Sequence, residues 1–155
     1  FVLLTHYRKS LNFSWEALEA AQNALLNLVK NIASFNDGGK ADAASLDKFY
    51  SALADDLNTP QAVAVLQEVL ASDLSDQDKL ATVYQMDEVL GLDLKNLKTQ
   101  ILSLSAEEKD LLSQREQARS SKDWSLSDAL RVRLQSLGVE VEDTAGGQKA
   151  VRVKI

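Results

Sequence analysis

Trp124, Asp128 and Arg131 carry the chemistry that most needs explaining. They lie in "KDWSLSDALRVRLQSLGVEVED", residues 122–143, which reads as a helix followed by a strand. Helical residues step by about 100°, so with Trp124 at zero, Asp128 falls near 40° and Arg131 near 340°; Leu126, Leu130, Leu134 and Leu137 fall between roughly 200° and 280°. The leucines make one inward stripe. The indole, carboxylate and guanidinium share the opposite face, and Arg119 and Lys122, just before the turn, can reach the same region. An exposed indole offers a π-face for an unstacked base, worth roughly 1–3 kcal/mol. Arginine can stack or donate to a base acceptor, and a carboxylate can accept from a guanine or cytosine amino group. Phosphate binding alone would call for lysines and no aspartate.

A purely local reading competes. Asp123 can be a plain N-cap. Alternatively Ser125 is the N-cap, with Asp128 as its capping-box partner and Trp124 stapled onto Ala129. A third possibility makes Trp124 the hot spot of a protein-interaction module that docks a partner on this face or on the hairpin edge. The residues alone leave all three open.

Other chemistries are excluded more firmly. The chain has 155 residues and no cysteine, which removes disulfides, thiol nucleophiles and thiolate zinc sites. Its single histidine, His6, makes a histidine metal site or a Ser-His triad untenable. The start "FVLL" is too short for a signal peptide, and without a methionine it reads as a piece of something longer. No apolar run of about 18 residues exists to span a membrane. The absence of cysteine is compatible with a cytoplasmic location. The net charge of −6 argues against a general nucleic-acid binder. That average hides a contrast: residues 1–104 hold 8 basic and 14 acidic side chains, whereas residues 105–155 hold 9 of each.

The elements that must position these groups follow from periodicity. Ser14 caps a helix of about 20 residues with Leu18, Ala21, Leu25, Leu28, Val29, Ile32 and Phe35 on its stripe, ended by "NDGGK". A second helix runs from Asp42 to Leu57 on Leu46, Phe49, Tyr50, Leu53 and Leu57. In "NTP", Thr59 caps a third and Pro60 takes its first position, where a missing N–H is harmless. Its buried face is Val63, Leu66, Val69 and Leu70. Ser75 with Asp78 opens a fourth, bearing Leu80, Val83, Met86 and Leu90, and Gly91 stops it. Residues 91–104 read as a linker. Ser105 with Glu108 opens a fifth helix to Ser120, and a sixth runs to Leu137, ended by Gly138. The period then falls to 2: Val139 and Val141 alternate with Glu140 and Glu142, and Val151, Val153 and Ile155 with Arg152 and Lys154. "TAGGQ" supplies hairpin glycines, and Glu140 and Glu142 are expected to face Arg152 and Lys154 across the strands. The fold class is mainly α: an antiparallel helical bundle at 1–90, a linker at 91–104, and a small α+β unit of two helices plus a β-hairpin at 105–155.

Three stretches, "FVLLTHYRKSLNFSWEALEAA", "ALADDLNTPQAVAVL" and "REQARSSKDWSLSDALRVRLQSLGVEVEDT", resemble in that order the C-terminal part of cysteinyl-tRNA synthetase. The resemblance covers Phe1 to about Thr144. It implies a DALR-type anticodon-binding bundle followed by a small unit that grips the anticodon. The family reads its GCA anticodon with an arginine, an aromatic and an aspartate that fall on Arg119, Trp124 and Asp128, and with a further aspartate that falls on Asp143. Additional tRNA contacts are expected at Lys122, Arg131, Arg115 and Arg8, the last in "HYR", near the inner arm of the L-shaped tRNA. "DDLNTP" reads as a structural helix restart. The sequence departs from the family at Leu57, usually aromatic, and after Thr144, where Ala145-Gly146-Gly147-Gln148 replaces the usual Pro-Gln-Gly-Thr. The HIGH and KMSKS signatures and the zinc-binding cysteines are absent. The resemblance therefore implies a non-catalytic, cofactor-free and metal-free part of a ligase whose whole form uses ATP and zinc. The expected partner is tRNA-Cys, with no membrane, and the expected state is a monomer.

Overall fold

A computed structural model describes residues 1–144 and 147–152 and divides the chain into two compact units, Phe1–Lys95 and Asn96–Ile155. Val153, Lys154 and Ile155, placed on the second strand by their alternation, and Ala145-Gly146, placed in its turn, lie outside the described residues. Among the described residues no helix is long and apolar enough to cross a membrane.

In the first unit, the Ser14 hydroxyl accepts from Ala17 N–H and starts α1 (Trp15–Ala33). Only the last turns of α1 are buried, at Leu28, Val29, Ile32 and Ala33. Leu18 is exposed and Ala21 and Leu25 are half-buried, so the expected stripe is used over half its length. The glycine-rich loop then lies against the start of α4 (Asp76–Leu90). A Cβ on Gly39 would stand 2.1 Å from Gln77 backbone atoms, so the approach requires glycine. Lys40 N–H donates to Asp78 Oδ1 at 2.7 Å, and Asp42 N–H to Thr82 Oγ1 at 2.9 Å.

Helix α2 (Ala43–Ala54) is capped by Asp42 and buries Leu46, Phe49 and Ala52. It stops three residues short of the expected Leu57, because Asp56 and Leu57 take φ of 55° and 52°. Tyr50 and Leu57, assigned to its stripe, are exposed. The N-cap of α3 (Thr59–Ala71) is Asn58, whose side chain accepts from Gln61 N–H; Thr59 and Pro60 are the first two helical residues, one place later than expected. Its buried face is Ala62, Val65, Leu66 and Val69, with Val63 and Leu70 half-buried. Helix α4 follows the expected cap at Ser75, the expected core positions, and the stop at Gly91, φ 68°. Helices α2, α3 and α4 pack on one another, and α3 also holds the short 3-10 turn Val2–Leu4.

The expected linker is largely helical. Helix α5 (Leu94–Leu102) occupies it, with Leu94 and Ile101 fully buried, and the division between the units falls inside it. The buried Asp87 carboxylate explains its start, accepting from Leu92 N–H at 2.8 Å and Leu94 N–H at 2.7 Å. The described residues thus hold seven α-helices where periodicity gave six.

In the second unit, Ser105 and Glu108 form the complete capping box of α6 (Ala106–Ser120). Helix α7 (Trp124–Ser136) packs on α6 and on strand β1 (Val139–Thr144), which pairs antiparallel with β2 (Gly147–Arg152). Gly138, at φ 79°, turns α7 into β1. Leu134, Val139 and Val141 form the core, with Leu104, Leu111, Leu112 and Ala150 packed on it. The register corrects the expected cross-strand charge pairing. Glu140 lies opposite Val151, and Glu142 opposite Lys149. Arg152 lies opposite Val139, so Gln148, Ala150 and Arg152 share the face of Val139 and Val141. Two polar side chains on that face are anchored by α6 rather than by acids on β1.

Candidate nucleic-acid interface

Trp124 is aimed by a two-residue corner. Lys122 N–H donates to Arg119 O at 3.0 Å and Asp123 N–H to Ala118 O at 2.8 Å, a Schellman end to α6. Lys122 holds the left-handed position of that motif, φ 60°, which usually belongs to glycine. Asp123 also caps the next helix, its Oδ1 accepting from Leu126 N–H at 3.0 Å. One residue thus closes α6 and opens α7 with no slack. Trp124 becomes the first helical residue and is 58% exposed. Of the two local readings, the plain Asp123 cap is realised. The Ser125–Asp128 box is not, and Trp124, lying inside the helix, is not in the staple position. Asp128 and Arg131 are exposed with it. The buried stripe is Ser127, Leu130 and Leu134; Leu126, assigned to it, is exposed because it sits at the stripe's edge in the first turn.

A buried arginine organises the facing strand. Arg115 is 1% exposed. Its Nη1 donates to Asp143 Oδ1 at 2.9 Å and to Gln148 Oε1 at 2.7 Å, and its Nη2 donates to Asp143 Oδ2 at 3.1 Å. Gln148 Nε2 in turn donates to Leu112 O at 2.6 Å. Arg119 Nη1 reaches Asp143 Oδ2 from outside at 2.6 Å. Both strands are therefore tied to two successive turns of α6. The Arg115 hydrogen bonds, and then the charges of Arg115 and Arg119, hold the Asp143 carboxyl below the usual carboxylate range despite partial burial. At the other end of the hairpin, Arg152 Nη2 donates to Glu108 Oε2 at 2.7 Å. Burial pushes the Glu108 carboxyl up, but Ser105 and Arg152 outweigh it and the net shift is downward.

The structure brings Arg119 and Asp143 into direct contact and sets Trp124 five residues beyond Arg119 across the rigid corner. Lys122 is exposed at that corner. Arg115 does not join them at the surface: its guanidinium is turned into the unit, so the expected RNA contact there is replaced by an internal one. The sequence reading missed Gln148 and the Glu108–Arg152 bridge. A signal for Arg115 was present, since it follows Leu111 and Leu112 at helical spacing and so falls on the inward stripe of α6.

The "HYR" stretch belongs to the first unit. Arg8 Nε and Nη2 donate to Asp56 at 2.5 and 2.9 Å, Tyr7 Oη donates to Asp56 Oδ1 at 2.6 Å, and His6 Nε2 lies 3.8 Å from Asp56 Oδ2. Arg8, expected as a tRNA contact, thus spends two donors on the "DDLNTP" turn, which has the structural part expected of it. The Arg8 and Tyr7 bonds lower the Asp56 carboxyl, and the Asp56 bond raises the Tyr7 hydroxyl.

Residues 103–150 match the family model described as the cysteinyl-tRNA ligase anticodon binding domain, and residues 48–95 match the DALR domain. Between them they cover more than half of the chain. Among similar proteins, a cysteine–tRNA ligase of Burkholderia lata is 40% identical over 147 residues, covering 95% of this chain and 31% of that protein. A cysteine–tRNA ligase of Novosphingobium aromaticivorans is 39% identical over 158 residues, covering 91% and 32%. One of Treponema denticola is 30% identical over 181 residues, covering 94% and 37%. The chain belongs to the cysteine–tRNA ligase family. It spans about a third of the length of the curated ligases it matches. The anticodon-binding match starts just before the capping box of α6 and ends at Ala150, so the ligase-family domain contains the corner, Trp124 and the whole Arg115–Asp143–Gln148 network.

Proposed function

We propose that the chain is the tRNA-recognition part of a cysteine–tRNA ligase. It grips the anticodon stem-loop of tRNA-Cys so that the catalytic part can attach cysteine at the distant acceptor end. The observation that carries this reading is an exposed indole, fixed at a rigid corner one turn of chain beyond the arginine of a guanidinium–carboxylate pair, in the family's anticodon-binding domain. Trp124 supplies a stacking face. Arg119 has donors to spare beyond the one on Asp143. Asp143 and Asp128 supply acceptors for base amino groups. Lys122 and Arg131 add exposed cations for the phosphates. Arg8, Tyr7 and Asp56 are assigned to structure.

The zinc of a whole ligase finds no matching donor set among the described residues. The chain holds no cysteine and one histidine, and among the described residues no three His, Cys, Asp or Glu side chains cluster to hold a metal. No catalytic step is assigned to them.

The test is binding of an RNA hairpin carrying the GCA anticodon against the same hairpin with one anticodon base changed, at two salt concentrations. Preference for GCA, with affinity falling steeply as salt rises, is the expected result. Equal affinity for both hairpins would sink the anticodon reading. Trp124 fluorescence that ignores RNA altogether would favour the protein-interaction alternative.

A further inference from the structure

Asp143 is crowded for a residue meant to touch RNA. A carboxylate offers about four lone-pair positions. Arg115 takes one on each oxygen, and Arg119 takes a second on Oδ2. Among the described residues the position left over is on Oδ1. The rest of the network is arranged around that outcome. Gln148 fixes Arg115 Nη1 from the opposite strand, and the Leu112 carbonyl fixes Gln148. Arg115 Nε, by contrast, is buried with no partner among the described residues. The orphaned Nε costs stability, while both Nη atoms are committed to one half-exposed aspartate.

We infer that Arg115 is a specificity-determining positioning residue, which locks Asp143 in the orientation that leaves a single acceptor for one base amino group. This rests on the anticodon reading. The bidentate grip stops the carboxylate from rotating about its Cβ–Cγ bond, so the remaining lone pair keeps its direction whether or not RNA is present. Arg119, sharing Oδ2, is held by the same carboxylate, and a donor and an acceptor are set side by side. A base edge that offers an acceptor next to an amino group fits that pair; an edge with the order reversed meets donor against donor. Lysine cannot replace Arg115, because a point-like ammonium holds one oxygen and leaves the carboxylate free to turn.

The experiment uses the full 155-residue chain, wild type and as Arg115→Lys and Arg115→Met, with four RNA hairpins: GCA, and one changed at each anticodon base. Folding is followed by circular dichroism. The expected result is that wild type discriminates at all three positions. Both variants should bind GCA roughly tenfold more weakly and lose discrimination at one position only, since one well-placed base contact carries about that much selectivity. A folded variant with wild-type discrimination at every position overturns the proposal. If neither variant folds, the wild type decides. Separate, slowly exchanging Arg115 Nη resonances in both the free and RNA-bound chain are expected, and averaging of these signals on RNA binding overturns the proposal. Equal binding of all four hairpins by wild type overturns the anticodon reading and this inference with it, and so is distinguished from a failure confined to the variants.

Discussion

Each unit contains an aspartate gripped by two side chains from another segment, and the two grips differ in one respect. Asp56 is held by Tyr7 and Arg8, all of them at the surface. Asp143 is held by Arg119 at the surface and by Arg115 from inside. The Arg8 side chain is 66% exposed and that of Arg115 is 2%. An exposed ion pair gains little, because water and salt screen it and two long side chains must be ordered. A buried arginine has no such fallback, and losing its partner leaves an uncompensated charge. The first grip pins a turn that backbone hydrogen bonds also hold, with Leu57 N–H on Leu53 O and Asn58 N–H on Ala52 O. The second sets the placement of β1 against α6.

The largest expected effect breaks the second grip. Asp143→Ala should destabilise the second unit by about 3 kcal/mol, the lower end of what an orphaned buried charge costs, with Gln148 offsetting part of the loss. Urea unfolding followed by Trp124 fluorescence in a Trp15→Phe background reads this unit alone. A loss below about 1 kcal/mol would show that Arg115 is solvated despite its burial.

Trp124→Ala probes the surface rather than the core. It should weaken binding of the GCA hairpin by roughly 1–3 kcal/mol while leaving stability within about 0.5 kcal/mol. A tryptophan that mattered for packing would show the reverse ratio.

Acid loads the second grip without mutation. Asp143 and Glu108 both have lowered carboxyl pKa values in the fold. Their contribution is therefore complete above the unfolded-state pKa of about 4 and is lost as pH falls through the depressed folded values. The second unit should lose stability steadily below about pH 4. The Asp56 carboxyl is lowered too, so the first unit shares the sign. The Asp42, Asp78 and Glu16 carboxyls of the first unit are lowered as well, so its loss in acid is shared among four groups, and the part owed to Asp56 is the part that 0.5 M salt removes, because that ion pair is solvated. Stability that stays flat between pH 4 and pH 2 in the second unit would contradict the buried grip.

The same contrast explains what the sequence made legible. The first unit is held by apolar stripes, and period 3.6 located Leu80, Val83, Met86 and Leu90 of α4 without help. Its errors arise where a polar side chain overrules the pattern: Asp87 starts α5 inside an expected linker, and two left-handed residues end α2 early. In the second unit the hairpin was found from its valines, but its register was misjudged. Alternation alone set Glu140 and Glu142 against Arg152 and Lys154, whereas Val151 is buried opposite Glu140, and Gln148 and Arg152 take the α6 side for their partners Arg115 and Glu108. Of the site, Trp124 was legible because it falls off the leucine stripe and Arg119 because it precedes the turn, whereas Asp143 came through the family resemblance. Their contact with each other, and the buried arginine beneath them, depend on a strand register that no local pattern states.

Asp56 offers a subtler test of the exposed grip. It sits at φ 55°, where a side chain with a Cβ is disfavoured. Asp56→Gly removes the ion pair but relieves the backbone, whereas Asp56→Ala removes the ion pair and keeps the strain. The glycine variant should unfold at the wild-type urea concentration and the alanine variant measurably earlier. Equal losses in both would mean that the Arg8 and Tyr7 bonds, rather than the backbone, set the cost.

Lys122 is the matching position in the second unit, and the effect there is smallest. Its φ of 60° is imposed by the Schellman end of α6, and among the described residues no side-chain hydrogen bond of its own offsets the strain. Lys122→Gly should therefore raise the stability of the second unit by up to about 1 kcal/mol, less the added freedom of the unfolded chain. The same substitution loosens the corner that aims Trp124 and removes an exposed cation. A corner that matters only for folding would give a stabler unit with unchanged RNA affinity at high salt, where the lost charge is screened. A corner that aims the indole would give a stabler unit that binds the GCA hairpin more weakly at high salt as well. The second outcome is expected, because Asp123 closes one helix and caps the next, leaving Lys122 as the residue at which added freedom reaches Trp124.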